Sequence, residues 1–106
     1  MNKKQRKRLS ELIERAEALS AKFEEIAEEA KGIAEEIGEM SEEEQDKYDN
    51  MPENLQYSEQ ADAYQEAAEK LQEAADDLES WADDALQTAA DELSGWCEDT
   101  RSELEV

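Results

Sequence analysis

Residues 9–40 read LSELIERAEALSAKFEEIAEEAKGIAEEIGEM. Apolar residues recur at alternating steps of three and four: Leu9, Leu12, Ala16, Leu19, Phe23, Ile26, Ala30, Ile33, Ile37 and Met40. That spacing is a heptad seam. Leu9, Ala16, Phe23, Ala30 and Ile37 take position a. Leu12, Leu19, Ile26, Ile33 and Met40 take position d, and Ile13, Ala27 and Ala34 widen the stripe at e. Almost everything else in the segment is Glu, Lys, Arg or Ser. A helix patterned this way cannot bury its stripe alone, so the rest of the chain has to supply a partner.

The partner stripe lies at Tyr57, Ala61, Tyr64, Ala68, Leu71, Ala75, Leu78, Ala82, Ala85 and Ala89. Position a is alanine at 61, 68, 75, 82 and 89, which lets a facing helix approach to about 8 Å. Large residues on the first helix and small ones on the second predict an antiparallel pair. Each helix spans about 37 residues, or roughly 55 Å at 1.5 Å per residue, so their lengths match. The expected fold is therefore all-α. It consists of helix 1 over about 3–40, a turn with a short helix over 41–58, helix 2 over about 59–95 and a tail or helix extension over 96–106, together one domain.

Local signals set these boundaries. Ser41 with Glu44 fits a capping box for a short helix over 42–49. Asp49-Asn50-Met51-Pro52 breaks the pattern, because proline disfavours the helical region for Met51. Leu55 and Tyr57 are expected to close this end of the hairpin. Ser58 is a good N-cap, with Glu59 favourably placed against the helix dipole. After Leu78 the register drifts, and Trp81, Leu86, Leu93, Trp96, Cys97 and Leu104 form a second stripe. Gly95 is expected to bend or end the helix. Trp81, Leu93 and Trp96 are expected near Leu9, Leu12, Ile13 and Leu19. They serve either as core or as an exposed patch that grips a partner, or that pairs two copies into a four-helix bundle.

Composition narrows the chemistry. The chain has 106 residues, 32 Asp and Glu against 11 Lys and Arg, and a net charge of -21. Leu, Ile, Val and Phe total only 15, a composition that leans towards disorder. Sixteen alanines and regular heptads argue for helix instead. No histidine is present, which excludes imidazole catalysis and imidazole metal ligands. The single cysteine, Cys97, has no partner for an internal disulfide and reads as a small buried hydrophobe. The acidic pairs at 76–77 and 83–84 lack an EF-hand spacing, and no glycine-rich phosphate loop occurs. The expectation is a non-enzymatic protein with no cofactor or metal. The first residues carry no apolar signal core and no stretch is apolar enough to span a membrane, so a cytoplasmic location is expected.

Charge is also unevenly placed. Residues 1–8 carry +5 and residues 9–106 carry -26. Spread over a rod of roughly 55 Å, the latter is about one charge per 2 Å, close to the one per ~1.7 Å of duplex DNA. The body would repel phosphate, so direct nucleic-acid binding is not expected. Instead, carboxylates on the outer helix faces would stand in for phosphates on a basic, nucleic-acid-binding partner. The residues expected to make that contact are Glu24, Glu28, Glu35, Glu66, Glu69, Glu73, Asp76, Asp77, Asp83 and Asp84. The alternative is a structural or adaptor coiled coil that binds through its apolar seam or through Trp81, Leu93 and Trp96.

The joint D-N-M-P-E-N-L-Q-Y-S-E at 49–59 resembles a segment found in small acidic proteins of phages and bacterial mobile elements, where it connects two long Glu- and Ala-rich helices. Anti-CRISPR and other anti-defence proteins share that genomic setting and are often small and acidic. The resemblance implies a helical hairpin that inhibits a defence factor such as a CRISPR effector.

Overall fold

The structure, a computed structural model, describes residues 2–104; the side chain of Leu104 and residues 1, 105 and 106 lie outside that description. It is an all-α helical hairpin. Helix α1 runs over Lys3–Asp49, a 3-10 turn over Glu53–Leu55, α2 over Glu59–Trp81, a π-helical segment over Ala82–Leu86, and α3 over Gln87–Leu104. Contacts group the chain into two compact units. Unit 1 joins Met1–Glu28 to Ala82–Val106, and unit 2 is Glu29–Trp81.

Unit 2 is a hairpin of the second half of α1 and α2. Its buried residues are Ala30, Ala34, Ser41, Ala61, Ala68 and Ala75, none larger than alanine or serine, while Ile37, Tyr64, Leu71 and Leu78 are half-buried. Two such rows let backbones come close enough for a side chain to reach the opposite main chain. The Ser41 hydroxyl donates to the Ala68 carbonyl oxygen at 2.6 Å. This seat explains why the capping box at 41–44 does not form. Ser41 points into the seam in mid-helix, and α1 continues unbroken to Asp49 where a turn and a separate short helix were expected. Gln45–Asp49 and Lys47–Glu44 contacts at 3.1 and 2.9 Å support the added turns.

Pro52 lacks an N–H and helps to end the run. At φ -58° and ψ 143° it opens the 3-10 turn, closed by Leu55 N–H donating to the Pro52 carbonyl at 2.8 Å. The Ser58 hydroxyl oxygen then accepts from the Ala61 N–H at 3.3 Å, the N-cap expected of it. Leu55 and Tyr57 do not close the hairpin: they are 45% and 93% exposed. Tyr64 instead helps to join the helices here, with the Lys47 ammonium 5.8 Å from its ring centre.

Unit 1 pairs the first half of α1 with the π segment and α3. Its buried residues are Ile13, Ala27, Ala82, Leu86, Ala90 and Cys97. Ser20 donates to the Ala90 carbonyl at 2.8 Å, Cys97 Sγ lies 3.9 Å from the Ile13 carbonyl oxygen, and Arg101 meets Glu17 at 2.7 Å. From the Ile13–Cys97 contact to the Ser20–Ala90 bond positions rise on α1 as they fall on α3, so the pair is antiparallel, and the Arg101–Glu17 ion pair reaches along it through two long side chains. Cys97 is buried as expected.

The π segment accounts for the register drift. Buried positions run 61, 68, 75 and 82 in steps of seven, then 86, 90 and 97. A π turn inserts one residue into an α-helix, which moves the seam from Ala89, half-buried, to Ala90, and leaves Ala85 exposed. Gly95 does not end the helix, which continues to Leu104.

The largest departure from the heptad reading is on α1. Row e is the most buried, with Ile13, Ala27, Ala34 and Ser41; row a is half-buried apart from buried Ala30; and the d row turns outward: Leu12, Leu19, Ile26, Ile33 and Met40 are 46–52% exposed. The alanine face opposite is narrow, and close packing selects the e row, small everywhere except at Ile13, over the large d residues.

Candidate functional site

The ten acids proposed from the sequence all lie on exposed helical positions. Glu35, Glu66, Glu69, Glu73, Asp76 and Asp77 belong to unit 2; Glu24, Glu28, Asp83 and Asp84 belong to unit 1. Charge follows the same division. Unit 2 contains 18 acids and three basic residues, a net -15, whereas unit 1 nets -6. At 1.5 Å per residue, the 23-residue α2 is roughly 34 Å long, so unit 2 alone carries about one net charge per 2.3 Å.

Within unit 2 the structure brings Glu35 and Asp76 onto one open groove between α1 and α2. Glu39, Glu42 and Glu79 complete its acidic lining, and Lys31 and Gln72 also contribute. The sequence reading missed these three acids. Their signal was legible: 35, 39 and 42 follow the four-and-three step of one helix face, as do 72, 76 and 79. Glu69 lies beside a second shallow groove with Ser41, Gln45 and Ala68.

Local pairs modulate this surface slightly. Glu66 meets Lys70 at 2.8 Å, and that hydrogen bond and charge hold its carboxyl below the ordinary range while raising the lysine. Glu44 likewise raises Lys47. Asp76 accepts from the Gln72 amide at 3.0 Å. All are surface contacts, worth little against the uncompensated charge around them. Among the described residues no group of three Cys, Asp or Glu is arranged to hold a metal ion, and no helix is long and apolar enough to cross a membrane.

The apolar alternative divides between the units. Trp81, 49% exposed, belongs to unit 2, whereas Leu9, Leu12, Ile13 and Leu19, beside which it was expected, belong to unit 1. Leu93, half-buried, and Trp96, 51% exposed, belong to unit 1. The exposed d row of α1 is a further apolar surface that the heptad reading had assigned to the core. In unit 1, Leu12 and Leu19 line an open groove with Ala16 and Ala18, edged by Arg15 and Lys22. No protein family, curated protein or solved structure matches this chain.

Proposed function

We propose that the chain is a non-enzymatic acidic binding protein that inhibits a nucleic-acid-binding protein by presenting carboxylates where that protein expects phosphates. The observation that carries this reading is the concentration of charge in unit 2, with a net -15 on a short helical pair whose acids face solvent. Such a surface suits a groove lined by lysine and arginine, and releasing the counterions held on both sides would favour association. Glu35, Glu39, Glu42, Asp76 and Glu79 form its centre, with Glu66, Glu69, Glu73 and Asp77 around them. Glu24, Glu28, Asp83 and Asp84 are the corresponding exposed acids of unit 1. The partner class is a basic defence factor of the CRISPR-effector kind, in keeping with the resemblance of the 49–59 joint to phage and mobile-element proteins. A cytoplasmic site of action belongs to the same proposal.

Retention of lysate proteins on the immobilised chain at low salt, followed by a salt gradient, tests this. Nucleic-acid-binding proteins should elute steeply with salt. Reversal of Glu35, Glu39 and Asp76 to lysine should abolish their retention while helicity persists. Retention indifferent to salt would overturn the reading.

A second reading has its own observation. Trp81 and Trp96 remain about half exposed, and large aromatic surface is what adaptor helices offer a partner. Trp96→Ala would then abolish retention, and the charge reversals would leave it unchanged.

A further inference from the structure

We propose that α1 is the interface of an antiparallel homodimer, in which the exposed d row packs on the same row of a second copy about a two-fold axis at Ile26. This surface is distinct from the acidic one above and does not depend on it.

Three observations lead to it. First, the row is large, apolar and uncovered: Leu12, Leu19, Ile26, Ile33 and Met40, each about half exposed. It stays on one face of a helix that runs unbroken over Lys3–Asp49. A row of large apolar side chains left exposed along one helix is an association surface. Second, its spacing is symmetric. Reversing a second α1 about Ile26 sets Leu12 on the partner's Met40, Leu19 on the partner's Ile33, and Ile26 on the partner's Ile26.

Third, the flanking charges say which occupant fits. The g row beside d reads Arg8, Arg15, Lys22, Glu29, Glu36, Glu43: three cations, then three anions. All six are exposed, and among the described residues none makes an ion pair within its own chain. In the reversed pairing Arg8 comes beside the partner's Glu43, Arg15 beside the partner's Glu36, and Lys22 beside the partner's Glu29. Each lies within one residue, about 1.5 Å of rise, of the register that the d row sets. Three oppositely charged pairs and their two-fold mates thus flank the apolar row, the arrangement by which g positions choose partner and orientation. A parallel pairing would set arginine on arginine and glutamate on glutamate.

The same polarity answers the objection that two chains of -21 should repel. Residues 3–22 carry seven basic residues against three acids, and residues 23–49 carry two against twelve. Only the antiparallel arrangement lays the basic end of one helix on the acidic end of the other. The acids proposed for partner binding on α1, Glu24, Glu28 and Glu35, occupy rows b and f. At 100° per residue both rows lie about 150° round the helix from d, and b lies about 150° and f about 100° from g, so dimerisation leaves them free.

Sedimentation equilibrium of the full chain at physiological salt is the first test, and a two-fold mass in the micromolar range is expected. Because Ile26 is half exposed, Ile26→Lys should keep the helicity. Sitting on the axis, it alters the interface twice and should weaken association on the order of 100-fold. Arg15→Glu should weaken it too, and adding Glu36→Arg should restore it, since the swap rebuilds the pair in the antiparallel register alone. Orientation is read by cysteine trapping: Leu12→Cys should not cross-link with itself but should cross-link with Met40→Cys when the two are mixed. A monomer at all these concentrations, an Ile26→Lys protein that still dimerises, no rescue by Glu36→Arg, or Leu12→Cys cross-linking to itself would each overturn the proposal.

Discussion

Unit 1 buries Ile13, Leu86 and Cys97 among its alanines and carries a net -6, whereas the buried residues of unit 2 are only alanine and serine and it carries -15. Both are antiparallel helix pairs from one heptad pattern, yet their energetics differ. Unit 1 gains from removing large apolar side chains from water, at about 25 cal/mol per Å². Unit 2 gains from close backbone approach and the Ser41 hydrogen bond, and it opposes more self-repulsion with smaller buried side chains. Local stability follows such differences. Unit 2 should therefore open first, and added salt should protect its amides more than those of unit 1.

The sharpest way to break this contrast is to exchange the packing materials. Ile13 is 2% exposed, so Ile13→Ala should cost about 2–4 kcal/mol and remove amide protection chiefly from unit 1. Ala75, 4% exposed in the narrow seam, should resist enlargement: Ala75→Leu should cost about 1–3 kcal/mol and open unit 2. Equal loss of protection in both units from either change would mean that the two are energetically one.

Smaller changes sharpen the comparison. Ser41→Ala removes the 2.6 Å bond to Ala68 and should cost about 0.5–1.5 kcal/mol by denaturant titration. Ser20→Ala in unit 1 should cost less, because its bond to Ala90 is only part-buried. Glycines in open helical positions should act in the opposite direction. An added Cβ at Gly38 or Gly95 meets nothing within 4 Å, so Gly38→Ala and Gly95→Ala should each stabilise by about 0.5–1 kcal/mol, read as a rise in Tm.

The least effect belongs to Lys70→Ala. Its partner Glu66 has a lowered carboxyl pKa, so the pair's contribution is present above the ordinary carboxylate range and is lost as pH falls through it. Lys70 is raised, so the contribution fades again only above the ordinary lysine range. The variant should match the parent at low pH and fall slightly below it near neutrality, as followed by thermal melts.

Much of this was legible in the residues. Alternating steps of three and four, five alanines at one heptad position and the Asp49–Pro52 break together specify two long helices and the place where the chain reverses. Ser58 as N-cap and Cys97 as a buried small residue follow from local chemistry. The acidic surface is likewise written in the composition, although the convergence of Glu39, Glu42 and Glu79 on Glu35 and Asp76 needed two helices to be placed side by side.

What the tertiary structure decided is which of two adjacent stripes becomes the seam. Heptad periodicity marks a and d as apolar, but it does not weigh a narrow stripe of small residues against a broad one of large residues. Opposite alanine, the close approach of backbones selects a and e, sends Ser41 inward instead of capping a new helix, and leaves Leu12, Leu19, Ile26, Ile33 and Met40 facing water. The inserted residue at Ala82–Leu86 is of the same kind: it keeps a buried row facing its partner beyond Ala82, and only packing against the facing helix sets where that extra residue is absorbed.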